Sequence, residues 1–126
     1  MDALTVATLA LARRAMASGG WHWLPGMADA DGDRCERVAD GVPLFRMPRH
    51  HGLVADADAV PGLGDPLTVQ ALLLLVREAW GMPRAFLWWD GGIWLVSVAQ
   101  GQWPDRHLGR GVSEAEALVA ALERAP

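Results

Sequence analysis

Apolar residues recur at helical spacing in three stretches of the chain and cluster in short strand-like runs between them. From about Ala3 to Ala17, Leu4, Ala7, Leu11 and Ala15 fall on one helical face, and Gly19-Gly20 supply a stop. Arg13 and Arg14 sit in the last turn, where a cation suits the helix dipole. The second helix is marked at both ends. Asp65 is a good N-cap, Pro66 takes the first helical position, and Gly81 with Pro83 ends the run after Trp80. Leu67, Val69, Leu72 to Val76, Ala79 and Trp80 cover most of its circumference, which predicts a central core helix, with Leu73 in the core, or one partly covered by a partner. The third helix opens on Ser113-Glu114-Ala115-Glu116, a capping box, and carries an apolar stripe of Leu118, Ala121, Leu122 and Ala125.

The strand signals are shorter. Trp21 to Leu24 precedes the turn dipeptide Pro25-Gly26, and further strands are expected at about Arg34 to Val38 and Val42 to Met47. Asp31-Gly32 reads as a hairpin turn between the first two. Residues 48–64, rich in Pro, Gly, Asp and His, read as an irregular loop. Arg84 to Trp89 and Ile93 to Ala99 flank Asp90-Gly91-Gly92 and predict a hairpin with two apolar faces. A loop over 101–111 leads to the last helix. Runs of strands without strict strand-helix alternation favour α+β, an antiparallel sheet packed with helices as a helix-sheet-helix sandwich. In this reading residues 1–126 form a single domain, the last two helices and the hairpin make the core, and the strands between Trp21 and Met47 extend the same sheet.

Composition narrows the functional classes. Hydrophobic residues are 52% and charged residues 21%, which is enough apolar material to order a core and argues against wholesale disorder. No apolar run reaches the roughly 18 to 20 residues that cross a bilayer, because Ala71 to Val76 stops at Arg77-Glu78. Asp2 and Arg13-Arg14 do not fit a signal peptide, and a lone Cys35 suits a reducing compartment, so a cytoplasmic location is expected. The net charge of -4 argues against a nucleic-acid partner. The chain has no Lys, Asn or Tyr and a single Ile, Ile93, whereas Ala, Gly, Arg, Asp, Pro and Trp abound. That bias points to a GC-rich coding sequence, from a high-GC bacterium or its phage, and accounts for every basic residue being Arg.

Few residues carry recognisable chemistry. Asp29-x-Asp31-Gly32-Asp33 begins like a calcium loop, but Arg34 and Asp40 stand where that pattern requires Gly and Glu. His22, Cys35, His50, His51 and His107 lack metal-ligand spacing, and Cys35 has no base placed beside it by sequence. Without Lys there is no phosphate-binding P-loop, and Gly-x-Ser-x-Gly is missing as well. No catalytic residue, metal or cofactor is expected.

The tryptophans are the most informative group. Trp88, Trp89 and Trp94 crowd the hairpin, with Trp103 shortly after it and Arg84 and Arg106 close by in sequence. Trp88 and Trp89 point to opposite faces, so either helices cover both faces or one Trp meets a partner. Trp and Arg are the residues enriched at interaction hot spots. Trp88, Trp89, Trp94, Trp103, Arg84 and Arg106 are therefore the candidate binding residues.

Gly91-Gly92-Ile93-Trp94-Leu95-Val96 and Ser113-Glu114-Ala115-Glu116-Ala117-Leu118 resemble the layout of small phage proteins of the "phage ABA sandwich" type. The Trp21 to Met27 stretch, Trp-x-Trp-x-Pro-Gly-Met, is similar to prophage reading frames of unknown function. The resemblance implies a phage or prophage origin and a helix-sheet-helix fold, and transfers no functional residue. The function expected on this basis is a non-catalytic accessory protein that binds another protein, for instance to inhibit a host defence or regulatory factor. A small-molecule or nucleotide binder with a Trp-lined pocket and a virion structural component stand as alternatives. Self-association through Leu72 to Val76 or the Trp hairpin would make a homodimer, and no membrane partner is expected.

Overall fold

The computed structural model describes residues 2–47, 49, 51–99 and 104–126, with side chains in the last stretch from Arg106 onward. The elements run α1 (Ala3–Ala17), β1 (Cys35–Ala39), β2 (Val42–Arg46), β3 (Leu53–Ala55), α2 (Pro66–Trp80), β4 (Phe86–Trp89), β5 (Trp94–Ala99), β6 (Pro104–Gly111) and α3 (Glu114–Arg124). The fold is mixed α+β, with the strands in two antiparallel three-stranded sheets, β1-β2-β3 and β4-β5-β6. The chain divides into two compact units, one of Met1–Arg13 with His22–Ala71 and one of Arg14–Trp21 with Leu72–Pro126.

All three helices lie where capping and periodicity place them. The strands differ in four respects. Trp21 to Leu24 makes no ladder. Its backbone turns instead at Leu24 to Met27, where the Met27 N–H donates to the Leu24 carbonyl and the Leu24 N–H donates to the Met27 sulfur at 3.3 Å. The loop over 48–64 holds a short strand, β3, which pairs Leu53 with Arg46 and Ala55 with Leu44. The loop before α3 contains the eight-residue strand β6, which forms an edge of the second sheet. Finally, the strands between Trp21 and Met47 build a sheet of their own and do not extend the hairpin sheet.

In the first unit the core gathers Ala12, Trp23, Met27, Cys35, Phe45 and Leu63, all nearly or fully buried. Trp23 and Phe45 meet edge to face, 5.6 Å between centroids. Of the apolar stripe expected on α1, Leu4 and Ala7 are exposed, Leu11 is half-buried and Ala15 is buried, and the buried Ala12 lies outside it. Apolar residues surround the first three turns of this helix, so periodicity alone does not select a face.

A polar network locks the start of α2. Asp65 caps the helix by accepting from the Thr68 N–H at 2.9 Å, and also accepts from the Thr68 hydroxyl at 2.8 Å. Thr68, fully buried, takes the Ala28 N–H at 2.8 Å. Arg34 grips both oxygens of Asp65, at 2.6 and 3.1 Å, and donates to the Gly26 carbonyl at 2.9 Å. The Arg34 guanidinium, with help from Thr68, holds the Asp65 carboxyl down at about 2. A single helix cap thus ties the turn around Pro25-Gly26, the residue after the Asp31-Gly32 turn and the helix together.

The second unit is held mainly by apolar packing. On α2, Leu72, Leu75 and Val76 are fully buried, whereas Leu73 is only half-buried, which moves the core face one residue from the expected leucine. Helix α3 rests on β6 and β5, burying Ala117, Leu118, Val119, Ala121 and Leu122. Gly109 and Gly111 permit this approach. A Cβ on Gly109 would stand 2.5 Å from the Ala117 carbonyl oxygen and the Ala121 nitrogen, and one on Gly111 would press on Glu116 and Ala117. These two glycines lie in a strand because a helix backbone occupies the space their side chains would take. Ser113 caps α3 by accepting from the Glu116 N–H at 3.2 Å. Glu116 reaches back to the Val112 N–H at 3.0 Å, one residue earlier than in the usual reciprocal box. At the other end, the Trp80 indole donates to the Ala121 carbonyl at 2.8 Å, satisfying one of the orphan acceptors of the last turn.

Candidate functional site

The hairpin register decides which way each aromatic faces. Trp88 lies opposite Leu95 and Trp89 opposite Trp94, so the two pairs stand on opposite faces. Trp94 also lies opposite Gly111, and Val96 opposite Gly109. Those glycines carry α3, so Trp89, Trp94 and Val96 are on the helix side of the sheet. The helix covers β6 and β5, and on β4, the far edge strand, Trp89 stays 51% exposed. Its ring leans on Trp94 with centroids 5.3 Å apart and planes 57° apart. Val112, one residue after Gly111, is 73% exposed. The tip of this sheet therefore presents Trp89 and the half-buried Trp94, with Asp90 exposed next to Trp89 in the chain. A turn through Gly91 and Gly92, with φ of 60° and 138°, and an Asp90 N–H bond to the Ile93 carbonyl at 2.9 Å hold Trp89 and Trp94 side by side.

The other candidate residues are not gathered there. Trp88 is half-buried on the opposite face, where its indole N–H donates to Ser97 Oγ at 2.9 Å. Arg106 sits over the Trp80 ring at 5.3 Å, a cation–π contact. Arg84 is exposed in the connection before β4. Trp103 lies outside the described residues. The candidate set thus resolves into the Trp89–Trp94 pair, with Trp88 and Arg106 engaged in contacts of their own.

Sequence reasoning passed over Ser97. It is fully buried, accepts from Trp88, and lies 2.7 Å from His107 Nδ1. With Nδ1 unprotonated, the hydroxyl donates to it and a continuous chain runs from indole to imidazole. The signal was a single polar residue in the middle of Trp-Leu-Val-Ser-Val-Ala, which has to find partners once buried. A Ser–His pair suggests nucleophilic catalysis, but an oxygen with no exposed surface does not meet a substrate, so the chain here braces the sheet face.

Cys35 is equally enclosed. It is 1% exposed, burial pushes its thiol pKa up, and Sγ donates to the Arg37 carbonyl at 3.4 Å. Those conditions favour the inert thiol over the thiolate. His22 Nδ1 lies 3.2 Å from the Trp23 carbonyl, His51 is exposed on its loop, and His50 lies outside the described residues. Among the described residues no group of three or more His, Cys, Asp or Glu is arranged to hold a metal. The Asp29 loop is a side-chain-closed turn, with Oδ1 accepting from the N–H groups of Asp31 at 3.0 Å and Asp33 at 2.8 Å. No described helix is long and apolar enough to cross a membrane.

The first unit also carries two adjoining cavities. One, of about 290 Å³, is polar and is lined in part by Asp29, Arg34 and Asp65. The other, of about 270 Å³, is lined mainly by Leu4, Leu9, Pro61 and Leu63. They share Ala30, Gly62 and Gly64. Neither is lined by a described tryptophan. No family model, curated protein or solved structure matches this chain, so the reading of its surfaces rests on their own geometry.

Proposed function

We propose that this chain is a non-catalytic binding protein that docks another protein through the sheet tip carrying Trp89 and Trp94. The observation that carries the reading is the 51% exposure of Trp89, held in place against Trp94. Tryptophan is highly buried on average, so leaving half of one in water costs stability unless another surface covers it. An indole that is already oriented loses little further freedom on binding, and Trp is prominent among interface hot spots. Asp90, exposed in the turn next to Trp89, gives the surface an acidic edge. The complementary surface is an apolar groove with basic residues at its rim.

A phage or prophage accessory role, such as blocking a host defence or regulatory factor, is the biological form of this reading. Its support is the resemblance of the Gly91 to Val96 and Ser113 to Leu118 segments to small phage proteins. The test is affinity capture from a high-GC bacterial lysate with three baits: the wild type, Trp89→Ser and Trp88→Phe. The expected result is a stoichiometric protein held by the wild type and by Trp88→Phe and lost by a folded Trp89→Ser. A partner held equally by all three would remove the tip from the account. If the partner is a second copy of the chain, light scattering shows a dimer that Trp89→Ser dissociates.

A further inference from the structure

The two cavities of the first unit differ in chemistry and meet at Ala30, Gly62 and Gly64. Together they reach the size of ordinary small-molecule sites, roughly 300 to 1,000 Å³. The charged groups in the polar lobe are not equivalent. Arg34 and Asp65 are closed on each other through two hydrogen bonds, and Thr68 and the Gly26 carbonyl occupy the pair further. Asp29 is in a different state. It is only 6% exposed, and Oδ1 takes two backbone N–H groups. Oδ2 takes no hydrogen bond from any described residue. Every fully occluded side-chain oxygen among the described residues has a partner, so Oδ2 keeps some open surface, and Asp29 lines the polar lobe. A buried carboxylate oxygen facing a cavity favours a donor, and favours a cationic donor most. Asp31 and Asp33 stand on the same turn and add negative charge, while Arg34, which lines the same lobe, is already spent on Asp65.

We infer that this double cavity binds a small amphipathic amine, its ammonium group on Asp29 Oδ2 and its apolar body in the lobe formed by Leu4, Leu9, Pro61 and Leu63. The site is separate from the tryptophan tip, and neither reading depends on the other. Ala30 belongs to both lobes, and its N–H is bonded to the Val60 carbonyl at 2.8 Å, a backbone bond that a larger side chain leaves available.

The test is calorimetric titration of the full chain with n-hexylammonium, n-hexanol and n-hexanoate, repeated on Asp29→Asn and Ala30→Phe. Asparagine keeps Oδ1 as acceptor for Asp31 and Asp33 and replaces Oδ2 by an amide nitrogen. The expected result is saturable binding of hexylammonium at least tenfold tighter than hexanol, with no binding of hexanoate. Asp29→Asn loses that tenfold preference, and Ala30→Phe binds none of the three. Circular dichroism confirms that each variant is folded. Absence of saturation by hexylammonium overturns the inference, as does equal binding of hexanoate or unchanged amine binding in folded Asp29→Asn. Should Asp29→Asn fail to fold, the wild-type comparison of the three probes and the Ala30→Phe variant still decide.

Discussion

The two units hold a helix in place with different chemistry. In the first, the start of α2 is held by Asp65, which joins Arg34, Thr68, the Ala28 N–H and the Gly26 carbonyl in one network. In the second, α3 sits directly on a strand through Gly109 and Gly111, with Leu118, Val119 and Leu122 buried beneath it. The polar solution is directional and depends on charge. The apolar one depends on shape and tolerates no added atom. The aromatics follow the same division. Trp23 of the first unit is in its core, whereas Trp89 of the second is held at the surface. The second unit fills its core with small residues and leucines, and Trp89 stays half in water.

The largest expected effect tests the shape-dependent unit. Gly109→Ala forces a methyl group to within contact of the α3 backbone, which has no flexible end to move aside. Overpacking of this kind costs about 3 kcal/mol. Chemical denaturation measures it, and a cost near zero would mean that α3 does not rest on this strand. The charge-dependent unit is tested next by Asp65→Asn. Asparagine still caps a helix, so the loss reports the charged pair with Arg34, about 1 to 2 kcal/mol at pH 7. Because the folded carboxyl is held at about 2, below its unfolded value of 3.8, its contribution is fully present above about pH 4. It is lost as pH falls toward 2. The gap between wild type and Asp65→Asn therefore closes over that window, and a gap that persists at pH 2 would assign the effect to geometry instead of charge. The smallest is Ser113→Ala, expected to cost about 1 kcal/mol by leaving the Glu116 N–H without its cap. Thermal melting reads it, and no change in Tm would show that Glu116 and solvent suffice.

Legibility in the sequence followed how local the cause was. Asp65-Pro66 with Gly81, Ser113 with Glu116, and Asp90-Gly91-Gly92 act within a few residues, and the helices and the hairpin lie where those signals put them. Strand β6 looks like a loop in sequence because Pro104 to Gly111 contains two glycines and several polar residues. Its reason to be a strand is that α3 needs the glycines, a contact formed only in three dimensions. Strand β3, three residues inside a Pro- and Gly-rich stretch, is defined by its pairing with β2 and by nothing in its own composition. Leu73 and Leu72 look alike in sequence, and only the packing separates the half-buried one from the buried one. For the candidate site, the opposite facing of Trp88 and Trp89 was readable from the period of two. The hydrogen bond that occupies Trp88, the cation–π contact that occupies Arg106, and the open Oδ2 of Asp29 were not, because each depends on a partner distant in sequence or on burial.

If the Trp89–Trp94 tip docks the partner while Trp88 braces the sheet, affinity depends on Trp89 and not on Trp88. Calorimetric titration of the captured partner into wild type, Trp89→Ser and Trp88→Phe tests it most directly. A hot-spot loss of about 2 kcal/mol or more corresponds to roughly a thirtyfold weaker Kd. That weakening is expected for Trp89→Ser, with Trp88→Phe unchanged. Equal affinity for wild type and Trp89→Ser, or loss confined to Trp88→Phe, would contradict it.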